Sequence, residues 1–256
     1  MGSYLGQHAE YYDIFYQDKD YAAEAAFVHR CLEQHGDGQV ARLLELACGS
    51  GNHAFELEEM GYQIVATDYS SDLLAVAERK AATRGSQVDF RLTDMRTLSL
   101  DDEPFDAIYC LFDSIGYVQT NAALSQTLDG VRRHLRPGGL FLVEFWHAAA
   151  MLRHYEPERE RAWQAEGLTL MRRSTTRLDV AQQLAEVHYA IEAVDADGKR
   201  TELEETQVNR YFLAQEMAQF FAQTGLEAVD WRHAYEWDRP IDKDTWHILA
   251  VARRGD

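Results

Sequence analysis

The spacing of apolar positions sorts the chain into helices and strands. Over residues 20–35 (DYAAEAAFVHRCLEQH) they recur at helical spacing, and the turn carrying Gly36 and Gly38 ends the run. From residue 42 onward, short apolar runs alternate with amphipathic stretches. The pattern predicts strands over 42–47, 63–67, 88–92, 105–111 and 140–144, and helices over 52–60, 72–83 and 122–135. The last helix is expected to stop at Arg136-Pro137-Gly138-Gly139. Such alternation specifies a mostly parallel sheet covered by helices on both faces, with its ligand crevice beyond the carboxyl ends of the strands.

Residues 168–213 break the rhythm. Two extended segments flank an Asp197-Gly198 turn, a hairpin signal, and residues 168–178 suit a further antiparallel strand. A few strands cannot bury a core alone, so residues 151–213 are expected to form an inserted antiparallel β layer and not an independent domain. A helix over 215–224, stopped by Gly225, leads to strands over 226–231 and 246–252, expected to close the sheet as an antiparallel pair. The predicted fold is a single doubly wound, Rossmann-like α/β domain over residues 1–256. Its sheet is seven-stranded and mostly parallel, and residues 1–38 act as an N-terminal helical lid.

Charge narrows the partners. Lys and Arg number 25 against 43 Asp and Glu, a net charge of −18. Nucleic-acid binding rests largely on Lys and Arg neutralising phosphates, so no nucleic-acid partner is expected. Cys31, Cys48 and Cys110 are too widely spaced for a zinc site, and three is an odd number for a disulfide framework. No metal is expected. No apolar run approaches the ~18 residues of a membrane span, and the start lacks the pattern of a signal peptide. The expectation is a cytoplasmic protein, monomer or homodimer, whose partner is a small-molecule acceptor.

The candidate chemistry centres on ELACGSGNHA, residues 45–54, between a strand and a helix. Gly49 and Gly51 allow a sharp bend and a close ligand approach. Gly49-x-Gly51-x-x-Ala54 satisfies the dinucleotide fingerprint, so it cannot decide between nucleoside ligands alone. Glu45 discriminates. A dinucleotide would set a doubly negative diphosphate beside it; at ~4 Å and an effective dielectric of about 20, each like-charge pair costs about 4 kcal/mol. S-adenosylmethionine instead brings an ammonium and a sulfonium. Asp68 ends the second strand, where it can accept from ribose hydroxyls. Asp94-Met95 follows the third, placed for an adenine amino group and ring.

ELACGSGN, ATDYS, DMR and FDAIYCLFDSIGY together resemble the class I methyltransferases. The chain is more specifically similar to the amino-sugar N,N-dimethyltransferases of deoxysugar biosynthesis. That group shares Tyr12-Asp13, Lys19-Asp20-Tyr21, an A-C-G-T/S-G loop, a D-M-R turn, an S-I-G segment and an inserted β layer, which the resemblance implies covers the acceptor site and which here is residues 151–213. The resemblance implies S-adenosylmethionine as cofactor, with contacts from Tyr21, Glu45, Ala47, Gly49, Asp68, Tyr69, Asp94, Met95 and Leu111. Those enzymes carry a His directly after S-I-G, and this chain has Tyr117. The resemblance therefore supports the reaction type better than the amino-sugar substrate.

Methyl transfer is an in-line displacement in which the protein mainly aligns nucleophile, methyl and sulfur. An amine acceptor needs only a free lone pair; an alcohol or carbon acid wants a general base. Candidates near the strand ends are His147, the preferred base, with Tyr117, Asp113, Trp146 and Tyr12 from the lid. Tyr12, Tyr16 and Tyr21 share a helical rhythm, and Arg210, Tyr211 and Trp237 are candidates to line the acceptor. A nicotinamide-dependent oxidoreductase and a non-catalytic methyltransferase-like module remain as alternative readings.

Overall fold

The computed structural model describes residues 6–38, 40–165 and 167–255, so residues 1–5 of the expected lid lie outside the described residues. The central sheet forms from β1 (Arg42–Leu46), β2 (Gln63–Asp68), β3 (Asp89–Leu92), β4 (Phe105–Cys110), β5 (Leu135–Trp146), β10 (Leu226–His233) and β11 (His247–Arg254). Their spatial order is β3-β2-β1-β4-β5-β11-β10. The first five run parallel, and β11 pairs antiparallel with both β5 and β10. The chain order reverses direction beside β1, and a ligand crevice opens there at the strand ends.

Central strands are apolar on both faces because both faces are covered. Leu44, Leu46, Phe141 and Val143 pack with α6 (Asn121–His134) and α8 (Ala214–Gln223). Leu43 and Leu142 face the opposite layer, formed by α3 (Tyr21–His35), α4 (Asn52–Glu59) and α5 (Ser71–Arg84). Side-chain caps set the helix starts: Asp20 accepts from the Ala23 amide at 2.9 Å, Ser70 from Leu73 at 3.2 Å and Thr120 from Ala123 at 3.2 Å.

A second, four-stranded antiparallel sheet contains β6 (Glu158–Ala165), β7 (Leu168–Asp179), β8 (Leu184–Asp195) and β9 (Arg200–Arg210). Sequence patterning misses β6. It is a charged edge strand, ERERAWQA, in which Trp163 alone is buried, so it carries no alternation. Helix α7 (Ala148–His154), which the sequence reading also leaves out, links β5 to this sheet. At the N-terminus two single turns, α1 (Gln7–Glu10) and α2 (Tyr12–Phe15), dock onto the inserted sheet through Phe15, packed with Trp163, Leu170 and Ile191.

Two expectations are corrected. The tyrosine rhythm does not belong to one helix: the chain leaves helical geometry at Tyr16 and re-enters it at Tyr21, capped by Asp20. Nor does Arg136-Pro137-Gly138-Gly139 lie outside the sheet. Phe105 pairs with Leu135 and Ala107 with Leu140, so residues 136–139 bulge opposite Asp106, held by Arg136 Nε on Asp106 Oδ1 at 2.8 Å.

Candidate active site

The glycine loop leaves β1 through left-handed backbone at Ala47, Gly49 and Gly51, with φ of 55°, 57° and 80°. At Gly51 glycine is required twice over, because a Cβ there would also stand 2.8 Å from Phe90 Cζ. The bend turns the Gly49 amide toward Asp68, which accepts from it at 2.8 Å and from the Ser70 amide at 2.8 Å. Burial pushes the Asp68 carboxyl up to about 6, against those two amides. The carboxylate lines a cleft with Ala47, Gly49 and Tyr69, placed to accept hydroxyl donors.

Glu45 faces inward from β1. It is 2% exposed and lines a cavity with Tyr21, Ala47, Leu111, Ser50 and Asn52. The Tyr109 hydroxyl donates to Oε2 at 3.2 Å, and the nearest ion-pair partner among the described residues is the His53 ring, Nδ1 to Oε1 at 3.9 Å. Burial pushes this carboxyl well above its ordinary value. A buried acid with so little positive charge beside it suits a ligand cation, and its acceptor oxygens fit the ammonium of S-adenosylmethionine.

Asp94 and Met95 line a third cavity with Tyr69, Tyr117 and Val118. Part of the Asp94 carboxylate is already engaged: Oδ1 accepts from the Arg96 amide at 2.9 Å, and the Arg96 guanidinium pairs with both oxygens. Burial raises the Asp94 carboxyl, but the Arg96 hydrogen bonds outweigh it and hold it below the usual range.

The N-terminal strap is tied to the glycine loop by Asp13. Its Oδ1 accepts from Ser50 Oγ at 2.6 Å and Asn52 Nδ2 at 3.0 Å, and Oδ2 accepts from Lys80 Nζ at 2.9 Å. Tyr12 is thereby set over the loop, its hydroxyl 3.4 Å from where a Gly49 Cβ would stand. Asp13→Ala should therefore weaken S-adenosylhomocysteine binding by about 1–2 kcal/mol, read by calorimetry, because the strap loses a charge-assisted tether to that loop. Unchanged affinity would show that the strap plays no part in holding the nucleoside.

Beyond the glycine loop the cleft runs to a wall of Tyr16, Phe112, Asp113, Tyr117, Trp146 and Tyr189. Strand β4 ends in two consecutive left-handed residues, Phe112 and Asp113, with φ of 57° and 54°. Glu144 Oε2 accepts from the Phe112 amide at 2.7 Å, and Asp113 Oδ1 from the Trp146 amide at 2.8 Å, holding this strained turn. Gly116 is required by close approach: a Cβ would meet Asp113 Oδ2 at 2.8 Å and the Arg210 carbonyl at 2.9 Å. The Tyr117 hydroxyl donates to Gln207 Oε1 at 3.0 Å, and burial raises the Tyr12 and Tyr117 hydroxyls well above 10.

His147 is a correction. It lies among none of the cleft-lining residues; its Nδ1 faces the Thr245 carbonyl at 3.2 Å and its amide donates to the Trp246 carbonyl at 2.8 Å. Strand pairing explains this. His147 continues past β5 into a bridge with Phe212, and β5 pairs instead His247 with Trp146. His247 donates from Nδ1 to Glu144 Oε1 at 2.6 Å and lines the cavities on either side of Trp246. Arg210, Tyr211 and Trp237 also miss the cleft. Arg210 pairs with Glu216 at 2.5 Å, Tyr211 packs on α7, and Trp237 stacks on Arg30 at 3.8 Å. Strand alternation sends Gln207 and Asn209 to the cleft instead. No local sequence signal marks Gln207, Asn209, Tyr189 or His247 as site residues.

A methyltransferase-domain family model matches residues 43–139. The chain is 32% identical over 199 residues to a dTDP-3-amino-3,6-dideoxy-α-D-glucopyranose N,N-dimethyltransferase of Streptomyces fradiae, covering 76% of this chain and 74% of that one. It belongs to the S-adenosylmethionine-dependent methyltransferases. A sugar N-methyltransferase from Streptoalloteichus superposes on this methyltransferase with a TM-score of 0.80 at 26% identity, over 96% of this chain and 93% of that one. A methyltransferase from Clostridium acetobutylicum shares the fold with a TM-score of 0.81 at 21% identity, over 96% of each. The enzyme uses S-adenosylmethionine; the nicotinamide and non-catalytic alternatives fall with this membership. No helix of the described residues is long and apolar enough to cross a membrane.

Proposed function

We propose that this methyltransferase transfers the methyl group to an amine of a small, sugar-like acceptor in the cytoplasm. The acceptor wall carries the reading: rings of Tyr16, Phe112, Tyr117, Trp146 and Tyr189 surround a carboxylate, with the Gln207 and Asn209 amides and no Lys or Arg among the lining residues. Aromatic faces and an acid favour a cation, the form in which an alkylamine arrives at neutral pH. Tyr12 and Tyr117, held protonated by burial, would act as hydrogen-bonding walls and not as bases. The relatives support the same class, since the Streptomyces fradiae enzyme is named for a 3-amino sugar nucleotide.

When bound, S-adenosylmethionine supplies an electrophilic methyl on a positively charged sulfur. Glu45, with Tyr21 beside it, would receive the ammonium; Asp68 would accept from the ribose hydroxyls; Tyr69, Asp94 and Met95 would hold the base. Ala47, Gly49, Gly51 and Leu111 would form the floor. The strap within residues 1–38 and the inserted β layer within 151–213 would close over the reacting atoms and keep water out.

The test is transfer of labelled methyl from S-adenosylmethionine to dTDP-3-amino-3,6-dideoxy-α-D-glucose and, separately, to its 3-hydroxy counterpart. The amine is expected to be methylated and the hydroxyl to be inert. Methylation of the hydroxyl sugar at a comparable kcat/KM would overturn the assignment to nitrogen.

A further inference from the structure

Asp113 is the one carboxylate at the acceptor end of the cleft, and its surroundings are unusual. It is 2% exposed, and among the described residues its two oxygens accept only from neutral groups: Oδ1 from the Trp146 amide at 2.8 Å and Oδ2 from Asn209 Nδ2 at 3.1 Å. Among the described residues no Lys or Arg forms an ion pair with it. Lys19 Nζ lies 4.4 Å over Phe112 and the Arg172 guanidinium 4.9 Å over Tyr189, each lining a neighbouring cavity, and His247 is paired with Glu144. The left-handed turn at Phe112-Asp113 and the missing side chain of Gly116 exist to hold this acid where it is.

From this geometry we infer that Asp113 receives the acceptor as an ammonium ion and takes its proton, a role that rests on the amine reading above. The N–H bond breaks with its electron pair left on nitrogen, and the proton passes to a carboxylate oxygen of Asp113. That lone pair then forms the new C–N bond while the C–S bond breaks, its electrons staying on sulfur. The product leaves as an alkylated ammonium, and Asp113 returns its proton to water. Burial raises the Asp113 carboxyl well above its ordinary value, as suits a group that takes a proton near neutrality. The groups facing it act in opposite senses: Glu144 of β5 raises it further, while the Trp146 amide, His247 of β11 and the Asn209 amide lower it, and burial outweighs them. Tyr117 on its own turn, and Tyr12 and Tyr16 of the strap, line the same cleft.

The test reads binding, apart from turnover. The full-length protein, saturated with S-adenosylhomocysteine, is titrated at constant ionic strength with tetramethylammonium chloride and with neutral 2-methylpropan-2-ol, following tryptophan fluorescence. Wild type is expected to prefer the cation by about tenfold or more, and to lose that preference as pH falls through the raised Asp113 value. Asp113→Asn should lose both the preference and its pH dependence while binding S-adenosylhomocysteine normally. Asparagine tolerates left-handed backbone, and its carbonyl can still accept from Trp146, so the turn survives. Undiminished cation binding by Asp113→Asn, or a wild type with no preference for the cation, overturns the role; the wild-type comparison decides it even if the variant folds poorly. Failure of amine methylation with this cation preference intact would sink the amine reading instead.

Discussion

Glu45→Gln is expected to weaken S-adenosylhomocysteine binding by roughly 30- to 4,000-fold while raising the melting temperature of the ligand-free protein. Both effects have one cause. The carboxylate is sealed beneath the glycine loop, and among the described residues only the Tyr109 hydroxyl donates to it, with His53 at 3.9 Å. Burial raises its folded-state pKa well above 4.5. A raised carboxyl binds more protons folded than unfolded, so its contribution to stability is present below the unfolded value and lost as pH climbs through the folded one. At neutral pH the ligand-free protein therefore bears the cost of this buried acid, whether as a buried charge or as a carboxyl held protonated, and glutamine removes that cost without vacating its volume. The ligand ammonium reverses the balance, and removing one partner of such a buried, hydrogen-bonded charge pair costs about 2–5 kcal/mol. Calorimetric affinity and the ligand-free melting curve are measured on the same sample. A variant that binds normally, or that melts lower without ligand, would show that Glu45 is not the cation site.

Glu144→Ala should act in the opposite direction, destabilising the protein by about 3–5 kcal/mol. Glu144 is 1% exposed and joins four elements: it accepts from the Phe112 amide at 2.7 Å, the Tyr235 hydroxyl at 2.5 Å and His247 Nδ1 at 2.6 Å. Burial alone would push its carboxyl up, yet the His247 pair and the other donors bring it down to about 2. Here the folded value lies below the unfolded one, near 4.5. The stability it supplies is present above that value and is lost as pH falls toward 2. At a few degrees per kcal/mol for a chain of this size, the alanine variant should melt about 10 °C lower. Its stability should also change less between pH 5 and 3 than that of wild type, over the upper part of the titration window. Equal melting curves for variant and wild type would mean that the Phe112-Asp113 turn holds without this anchor. Because Glu45 and Asp68 lie at other strand ends, nucleoside binding should survive in the folded fraction.

The two acids differ in what they meet, and the sequence shows only one of the encounters. Glu45, Asp68 and Asp94 each end a strand whose position follows from a run of apolar residues, and the glycine bend beside Glu45 is a local event of a few residues. Spacing along the chain therefore determined the fold class and the placing of the glycine loop, Glu45 and Asp68 at one end of the sheet. The missed strand β6 and helix α7 lacked that spacing, since one is a charged edge and the other a short link.

The acceptor side was decided by tertiary structure alone. Asp113 meets Asn209 across 96 residues, Tyr117 meets Gln207 across 90, and Glu144 meets His247 across 103. Which of two histidines approaches the site depends on the register of β11 against β5, and a strand of period two turns a side chain to the other face with each single step. That register is set by the packing of both apolar layers at once, which no window of sequence contains. His147 next to a predicted strand end looked suited to chemistry and faces the Thr245 carbonyl, while His247, the first residue of β11, holds Glu144 and lines the cavities beside Trp246.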